Sequence, residues 1–366
     1  MTADPDLVIV AGARPNFVKI APMLRALRKR PGVRVALVHT GQHYDYEMSG
    51  VFFEQLGIPA PDAHLQVGSA SHGQQTAAIM TAFDTYLDTR GPPTDVVVVG
   101  DVNSTMACAL IAAKRGTAVT HVEAGLRSFD RTMPEEINRV VTDAVASLLL
   151  VSEPAGLENL RREGVEASKV RYVGNVMIDT LVEQLPAARA LEMASRFSLG
   201  HSYAVVTLHR PANVDDPARL GELVGFLRRL ANETRVVFPI HPRTEARLAA
   251  LGLRSQLEVE GITITPPLGY REFLGLIQGA RVVVSDSGGV QEETTYLGVP
   301  CVTMRANTER PVTVTLGTNV LVGNDYEAAW AAASVALHGE PGPPRPVEGW
   351  DGRAAERIIE AICART

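Results

Sequence analysis

The chain has 366 residues, of which 46% are hydrophobic and 21% charged, with a formal net charge of −6. This length suits two domains or one large one, and the apolar content is enough to build a core, which excludes a wholly disordered chain. The negative net charge argues against a partner such as nucleic acid or a membrane surface, because proteins that bind these usually have a positively charged surface.

Short β-branched runs alternate with helical periods along the first half of the chain. The runs that predict strands are Leu7–Ala11, Val33–His39, Asp95–Val99, Ala118–Val122, Leu148–Val151 and Val170–Val173. Apolar residues between them recur at three- and four-residue spacing, which predicts amphipathic helices. Val96–Val99 is apolar at every position, as in a strand that helices cover on both faces. This alternation predicts βαβ units and a doubly wound parallel sheet.

The second half repeats the alternation with no repeat at the residue level. Its predicted strands are Tyr203–Leu208, Arg235–Ile240, Ile262–Thr265, Arg281–Ser285, Cys301–Thr303 and Val320–Val322. We therefore predict an α/β protein made of two Rossmann-like domains that face each other across a cleft. The expected first domain is 1–174 and the second 175–351, with the boundary near Gly174 or, alternatively, in the helical stretch Ile178–Phe197. A Pro- and Gly-rich connector at 339–347 precedes a last helix near Gly352–Ala364.

Polar segments follow seven of the predicted strands. They are GARPNFVKIAP (12–22), TGQH (40–43), GDVNST (100–105), HVEAGLRS (121–128), LHRPAN (208–213), IHPR (240–243) and SDSGGVQEE (285–293). Ligands of open α/β sheets bind beyond the carboxyl ends of the strands. Polar loops are common, but seven of them beside apolar strands predict a polar ligand in the cleft.

The segment SDSGG is the strongest phosphate candidate, because it joins a strand to a helix predicted at Val290–Leu297. Backbone N–H groups of Ser287–Gly289 and the helix dipole would favour an anion there. The alternative is that the segment only caps the helix through Asp286 or Ser287. Glu293, one turn into the helix, suits the hydroxyl groups of a ribose, and Arg310 suits a phosphate.

Two cations lie at the start of the first predicted helix, where they oppose the helix dipole. They are Arg14 and Lys19, and Lys19 is one of only four lysines in the chain. An anionic ligand or a buried acid explains this placement, and the alternative is that both side chains extend into solvent.

Four acids and one histidine are candidates for proton transfer. Asp101 and Glu123 follow adjacent apolar strands, where burial shifts the pKa of a carboxyl group. Glu135 and Glu136 begin a predicted helix, so charge–dipole stabilisation is the alternative for them, above all for Glu136. His209 ends a predicted strand of the second half and would face these acids across the cleft, and the alternative is that this lone histidine is structural.

Common cofactor and metal signals are missing from the sequence. No G-x-G-x-x-G follows the first strand, and no G-x-x-x-x-G-K-[ST] occurs, which argues against a dinucleotide enzyme or a P-loop NTPase. The histidines lack the spacing of a metal site, and the three cysteines favour buried thiols in a reducing compartment. No apolar run is long enough to span a membrane and the N-terminus is acidic, so we expect a cytoplasmic protein.

Taken in order, these segments resemble the motifs of the non-hydrolysing UDP-N-acetylglucosamine 2-epimerases. HVEAGLRS followed by PEEINR, and SDSGGVQEE followed by TERP, are the most specific of them, and the resemblance covers nearly the whole chain. It implies a glycosyltransferase-B-like fold in which the last helix, 352–366, packs back on the first domain. It also implies a homodimer and no added redox cofactor or metal.

The resemblance also implies roles for individual residues. The positions that bind UDP or the sugar would be Arg14, Lys19, His209, Phe273, Ser287, Gly288, Gly289, Glu293 and Arg310. The positions tied to the chemistry would be Lys19, Asp101, Glu123, Glu135 and His209. Phe273 would pack against uracil, although an amphipathic helix alone would make it a core residue.

The chain departs from the pattern of this family at several points. It has Asn16 where many members have Glu, HRPAN where many have HRREN, and a shorter segment between Arg127 and Pro134. Near the C-terminus, GWDGRAAERI replaces a more familiar Asn-Pro-Tyr-Gly-Asp-Gly stretch. The stretch LQVGSASHGQQT lacks an arginine that some members use in a second, regulatory site. This absence argues against allosteric activation and leaves the reaction unaffected.

The activity implied is epimerisation at C2 of UDP-N-acetylglucosamine to UDP-N-acetylmannosamine by elimination and re-addition of UDP. The product would supply cell-surface polysaccharide precursors. Three alternatives stay open: an epimerase of a modified UDP-sugar such as a diacetamido-uronate, a UDP-sugar glycosyltransferase of the same fold, and a non-catalytic regulator that binds UDP-sugars. Three clustered acids are more than a transferase needs, which favours the epimerase.

Overall fold

The computed structural model of the chain describes residues 6–41, 53–200, 202–340 and 346–365, except for the side chain of Arg14. The chain divides into two compact units. The first unit comprises Met1–Glu183 and Glu348–Thr366, and the second comprises Gln184–Val347. Each unit contains one β-sheet with helices packed on it.

The first unit alternates strands and helices. Its elements are β1 (Asp6–Ala11), α1 (Arg14–Arg28), β2 (Arg34–His39), β3 (Ala63–His64), α2 (His72–Arg90), β4 (Asp95–Val99), α3 (Asn103–Lys114), β5 (Ala118–Ala124), α4 (Pro134–Val145), β6 (Leu148–Val151), α5 (Pro154–Arg162), a 3-10 turn (Ala167–Lys169), β7 (Val170–Tyr172) and α6 (Val176–Ala190), whose last residues enter the second unit. Residues 53–56 are also helical.

The strands of the first unit form a seven-stranded parallel sheet in the order β3-β2-β1-β4-β5-β6-β7. All five residues of β4 are buried, so both faces of this strand are covered. The strand order reverses between β1 and β4. A ligand crevice in a doubly wound sheet lies beyond the carboxyl ends of the strands at this point.

The second unit repeats the alternation. Its elements are α7 (Met193–Arg196), β8 (Tyr203–Thr207), α8 (Pro211–Val214), α9 (Pro217–Ala231), β9 (Arg235–Pro239), α10 (Pro242–Ala250), a 3-10 turn (Arg254–Leu257), β10 (Ile262–Thr265), α11 (Tyr270–Ile277), β11 (Val282–Ser285), α12 (Gly288–Leu297), β12 (Cys301–Thr303), α13 (Val312–Thr315), β13 (Asn319–Leu321) and α14 (Tyr326–His338). The chain then returns to the first unit as α15 (Ala354–Arg365).

The second sheet is six-stranded and parallel, in the order β10-β9-β8-β11-β12-β13. Its order reverses between β8 and β11, which places the expected ligand crevice after these two strands. The predicted α/β class with two doubly wound sheets is therefore confirmed. Within the described residues, no helix is long and apolar enough to cross a membrane.

Some boundaries differ from the predicted ones. β3 is only two residues long and shows no run of β-branched residues, so it was missed. α12 begins at Gly288, two residues before the predicted start. Gly288 and Gly289 have low helix propensity, so the sequence does not indicate that they are helical. The division between the units falls within α6, between Glu183 and Gln184, which lies in the alternative stretch Ile178–Phe197. The helix runs across the division from Val176 to Ala190, with Pro186 inside it.

α15 is held in the first unit at both of its ends. The Asp179 carboxylate accepts hydrogen bonds from the backbone N–H groups of Ala354 (3.0 Å) and Ala355 (2.7 Å), and thereby caps the helix N-terminus. At the other end, Arg365 forms an ion pair with the buried Asp95. Burial raises the pKa of each carboxyl, Asp95 and Asp179, to about 6.

Candidate functional site

A buried ion pair lies at the carboxyl edge of the first sheet, next to the reversal of strand order. It joins Lys19 of α1 to Glu123 of β5, and their side chains are only 7% and 6% exposed. Gly100, which follows β4, leaves the space for this pair, since a Cβ on it would lie 2.9 Å from Lys19 Nζ and 3.6 Å from Glu123 Oε2. The acid that explains the buried lysine is therefore Glu123.

The backbone of Glu123 is left-handed, with φ of 73°. The pairing of β5 with β6 shifts register between Val122 and Ala124, so Glu123 occupies a bulge. A left-handed backbone is costly for a residue with a side chain and is found where the surrounding structure holds it in place. Because of the bulge, the Glu123 side chain does not follow the regular up-and-down alternation of the strand, and it points toward Lys19.

Asn16, which stands where many epimerases have Glu, holds the start of α1 against β4. Its Oδ1 accepts from the N–H groups of Gly12 (2.9 Å) and Ala13 (3.1 Å), and its Nδ2 donates to Val99 O (2.9 Å). A carboxylate could not make the last of these bonds, because it has no N–H donor. Asn16 is thus a structural residue that fixes the helix carrying Lys19.

Asp101 is paired with an arginine that the sequence analysis did not single out. Arg139 of α4 donates from Nε (3.1 Å) and Nη2 (2.7 Å) to Asp101 Oδ2, and its Nη1 donates to Glu136 Oε2 (2.6 Å). Arg139 is buried, and Asp101 is about a quarter exposed. The guanidinium therefore fixes the position of the Asp101 carboxylate.

The two adjacent acids of α4 have different surroundings. Glu136 is 1% exposed and accepts from the backbone N–H groups of Ser128 (2.9 Å) and Phe129 (3.0 Å), so it holds the loop after β5. Glu135 is half-buried and, within the described part of the chain, makes no hydrogen bond or ion pair. Of the two carboxylates, Glu136 is therefore committed to the loop after β5, and Glu135 is not.

A fully buried histidine supports the segment around Glu123. His121 Nδ1 lies 2.6 Å from Asp143 Oδ1 and its Nε2 lies 2.9 Å from Gly100 O. Gly125 N–H donates to the other oxygen of Asp143 (3.0 Å). Burial raises the pKa of Asp143, but His121 and Arg127 outweigh this effect and the net pKa is lowered. This network ties Gly100 and Gly125 to one carboxylate and so fixes the backbone on which Glu123 lies.

In the second unit, His209 pairs with an aspartate at the reversal point of the sheet. His209 Nδ1 lies 2.9 Å from Asp286 Oδ1, and Asn213 Nδ2 and Arg210 N–H donate to Asp286 Oδ2 at 2.9 and 2.8 Å. Burial raises the pKa of Asp286, but the hydrogen bonds from these partners outweigh it and the net pKa is lowered. The ionised aspartate orients the imidazole, and His209 Nε2 makes no hydrogen bond to the residues that the structure describes. The alternative in which Asp286 caps the next helix is therefore wrong.

The predicted phosphate segment begins α12. Ser287 is the N-cap residue, but its side chain makes no capping hydrogen bond, so this alternative is wrong as well. Residues 287–289 are half-exposed, and Gly288 and Gly289 are the first two residues of the ten-residue helix. A helix that begins with a glycine pair and has no side-chain cap is a suitable place for an anion.

Arg310 lies against this segment. A Cβ on Gly288 would be 3.0 Å from Arg310 Nη1, which places the guanidinium beside the start of α12. Its Nε is 2.6 Å from Glu292 Oε1, and its Nη1 is 2.6 Å from Glu309 Oε1. The second carboxylate, Glu309, was not predicted.

Glu293 and Phe273, which were predicted to hold the nucleoside, have contrasting burial. Glu293 is buried, and its pKa is raised to about 8 by burial and by Glu292, against the opposing effect of the Tyr270 hydroxyl. A neutral carboxyl both donates and accepts hydrogen bonds, which suits a pair of hydroxyl groups. Phe273 of α11 is half-exposed and lies outside the buried residues of its helix, so it is not a core residue.

The structure thus gathers the predicted residues in two groups, one in each unit. Lys19 and Glu123 are in contact, Asp101 is connected to α4 through Arg139, and Gly288 lies beside Arg310. The side chain of Arg14 is outside the described part of the chain. Among the described residues, no group of three or more His, Cys, Asp or Glu side chains is placed to hold a metal ion.

The comparisons with known proteins agree with this geometry. The family described as UDP-N-acetylglucosamine 2-epimerase matches residues 25–363. The UDP-N-acetylglucosamine 2-epimerase of Methanocaldococcus jannaschii is 40% identical over 363 residues, covering 97% of this chain and 98% of that protein. The UDP-2,3-diacetamido-2,3-dideoxy-D-glucuronate 2-epimerase of Pseudomonas aeruginosa is 40% identical over 360 residues, covering 97% of this chain and 99% of that protein.

A solved structure is also similar along the whole chain. It is the crystal structure of the Methanocaldococcus jannaschii UDP-GlcNAc 2-epimerase in complex with UDP-GlcNAc and UDP. It superposes with a TM-score of 0.90 at 40% identity, covering 98% of this chain and 99% of that one.

Proposed function

Because the chain belongs to the UDP-N-acetylglucosamine 2-epimerase family, a family of isomerases, we propose that it interconverts UDP-N-acetylglucosamine and UDP-N-acetylmannosamine. The observation that carries the proposal is the Lys19–Glu123 pair, a carboxylate fixed at the carboxyl edge of the first sheet by a buried lysine. Epimerisation at C2 needs such a group, because the proton at that carbon must leave and return.

The chemistry starts at C1 of the sugar. The C2 proton is not acidic, since no carbonyl stands beside it, but it becomes removable as the C1–O bond breaks and positive charge develops on the ring. A carboxylate takes the proton, the C–H electron pair forms a C1–C2 double bond, and UDP leaves with the electrons of the C1–O bond. Return of a proton to C2 from the opposite face, with re-addition of UDP at C1, gives the epimer.

The residues of the first unit fit the proton transfers. Glu123 and Glu135 are the proposed acid–base groups at C2, and Asp101 is a third carboxylate near the same edge. Lys19 holds the Glu123 carboxylate in place through their ion pair. Arg139 does the same for Asp101.

The residues of the second unit fit the departing UDP. The start of α12 (Ser287, Gly288 and Gly289) and Arg310 would hold the diphosphate and stabilise its charge as it leaves. His209, oriented by Asp286, would contact the diphosphate or transfer a proton to it. Glu293 would bind the ribose hydroxyl groups and Phe273 would pack against uracil, while Arg14 would add a cation at the start of α1.

The test is to incubate the protein with UDP-N-acetylglucosamine in D₂O and to follow the sugar H2 signal by NMR. The proposal predicts loss of the H2 signal as deuterium enters C2, together with new signals of UDP-N-acetylmannosamine. A glycosyltransferase would leave H2 unchanged without an acceptor, and a regulator would bind the UDP-sugar without exchange. Either result would contradict the proposal.

A second candidate is the epimerisation of a UDP-diacetamido-uronate, which the Pseudomonas aeruginosa relative favours at equal identity. The C2 chemistry would be the same, and only the groups at C3 and C6 differ. The ratio of kcat/KM for the two UDP-sugars decides between the candidates. A value at least tenfold higher for the uronate would replace the first proposal by the second.

The biological setting is part of the proposal. We infer that the enzyme acts as a cytoplasmic homodimer and supplies precursors of cell-surface polysaccharides. The resemblance of the motifs supports the dimer, and the free cysteines suit a reducing compartment. Sedimentation at several protein concentrations tests the dimer, and a monomer at all of them would contradict it.

A further inference from the structure

A buried row of alternating charges ends at the proposed diphosphate site. Arg305 Nη2 lies 2.7 Å from Glu309 Oε2, and Glu309 Oε1 lies 2.6 Å from Arg310 Nη1. Arg310 Nε continues the row to Glu292 at 2.6 Å. None of these four side chains is more than 7% exposed. A buried charge that loses its partner is strongly destabilising, so each charge in the row depends on its neighbours.

Glu309 occupies an unusual place for an acid. A Cβ on Gly288 would be 3.0 Å from Glu309 Oε1, the same distance as from Arg310 Nη1. A carboxylate oxygen thus lies beside the start of α12, where the diphosphate of UDP is proposed to bind. Two anions at such separation repel each other strongly when water is excluded. The pair also occupies the Nη1 donor of Arg310 that a phosphate would use.

Arg305 carries a donor without an acceptor. Its Nη1 is buried and, among the described residues, has no hydrogen-bond partner. An unsatisfied buried donor on a charged group is costly, so its presence in a folded chain needs an explanation. The Arg305 fork could hold both oxygens of one carboxylate, and Glu309 already contributes one of them.

We propose that Arg305 is a positioning residue for diphosphate binding, which it controls through Glu309. Without ligand, Glu309 bridges Arg305 and Arg310. When the diphosphate binds, Glu309 turns to take both donors of Arg305, and Arg310 Nη1 is released to the phosphate. This inference rests on the proposed function, since it requires that UDP binds at α12.

The experiment is a double-mutant cycle on UDP affinity, measured by calorimetry with the full chain. Arg305→Met leaves Glu309 with Arg310 as its arginine partner, so UDP should bind about 10- to 100-fold more weakly. Glu309→Gln removes the competing charge, so UDP should bind as tightly as to the wild type or more tightly. The double variant Arg305→Met with Glu309→Gln should recover the affinity of Glu309→Gln, because Arg305 then has nothing to hold.

Rescue by a second substitution separates positioning from a structural role. If the double variant binds UDP as weakly as Arg305→Met, Arg305 acts directly or only supports the fold, and the inference is overturned. An unchanged affinity in Arg305→Met overturns it too. Should Arg305→Met fail to fold, Arg305→Lys keeps the charge but lacks the fork, and about a tenfold loss that Glu309→Gln reverses is expected.

A matched control comes from an exposed pair of the same residue types in the same unit. Arg229 Nη1 lies 2.9 Å from Glu327 Oε2, and the side chains are 45% and 83% exposed. Arg229→Met, Glu327→Gln and their combination should all bind UDP within about twofold of the wild type. If the wild type does not bind UDP, both the inference and the proposed function fail. If UDP binds and the rescue occurs but no deuterium enters C2, only the proposed function fails.

Discussion

His209 Nδ1 and Asp286 Oδ1 lie 2.9 Å apart although 77 positions separate the two residues in the chain. Parallel pairing of β8 and β11 explains this contact. Thr207 is in register with Ser285, so the residues that follow the two strands leave the sheet side by side. The pair is thus a direct consequence of the strand order at the reversal point of the second sheet.

Asp286→Asn tests whether this pair serves the reaction. An amide cannot stabilise a charged imidazole and can favour the wrong tautomer, so kcat should fall about 10²- to 10⁴-fold. His209→Asn should cost a similar factor, and the double variant should cost little more than either alone, because the two residues act as a unit. Losses that multiply in the double variant would contradict the pairing as a functional unit.

The sequence was sufficient to predict the fold class and nearly all of the strands. Apolar, β-branched runs such as Val96–Val99 have one plausible structure, and every predicted strand has a counterpart in the two sheets. β3 was missed because two residues, Ala63 and His64, carry no pattern. A strand can be predicted when the residues of the strand itself carry the apolar pattern.

The site was predicted less completely, because its contacts join residues that are distant in sequence. Glu123 and Lys19 were both candidates, but neither spacing nor composition indicates that they form a pair. Asp286 follows a predicted strand directly, and was considered only as a helix cap. Arg139 and Glu309 lie inside the motifs PEEINR and TERP, so the sequence marked their segments as functional. It did not indicate which residues they contact.

Gly288→Val tests the proposed diphosphate site. A Cβ at this position would meet Arg310 Nη1 and Glu309 Oε1 at 3.0 Å, which is closer than ordinary contact, and a β-branched side chain also blocks an anion from the backbone. UDP affinity should fall at least tenfold, as measured by calorimetry. Gly221→Val is the matched control, since a Cβ on Gly221 of α9 meets nothing within 4 Å, and it should bind UDP normally. Equal affinity in both variants would argue against the assignment.

Glu293 should make stability depend on pH. The pKa of its carboxyl is raised by burial from 4.5 to about 8, so the folded chain holds this proton more tightly than the unfolded chain does. The resulting stabilisation is complete below the unfolded value and is lost as pH rises through about 8. The free energy of unfolding of the wild type, relative to Glu293→Gln, should therefore fall between about pH 5 and about pH 8 and then level off.

Denaturant titrations of both proteins across this range provide the measurement. The carboxyls of Asp95 and Asp179, whose pKa values are also raised, are present in both and cancel in the difference. A difference that stays constant with pH would show that Glu293 titrates normally in the folded chain.

The acids of α4 and β5 provide the last prediction, on proton transfer at C2. Glu123→Gln and Glu135→Gln should each lower kcat by about 10²- to 10⁴-fold, while UDP still binds within a few-fold, since Gln keeps the shape of the side chain. Deuterium entry at C2 is the sharper measurement, because it reports proton removal even when no product is released.

Glu136→Gln is the matched control for these variants. Its carboxylate holds the Ser128 and Phe129 N–H groups and Arg139, so its loss should lower the free energy of unfolding by about 1–3 kcal/mol. Glu135, which makes no such bonds within the described residues, should change stability little when replaced. If Glu123→Gln and Glu135→Gln both take up deuterium at the wild-type rate, these two acids are structural. Asp101, which Arg139 holds in place, would then be the remaining carboxylate for the C2 proton.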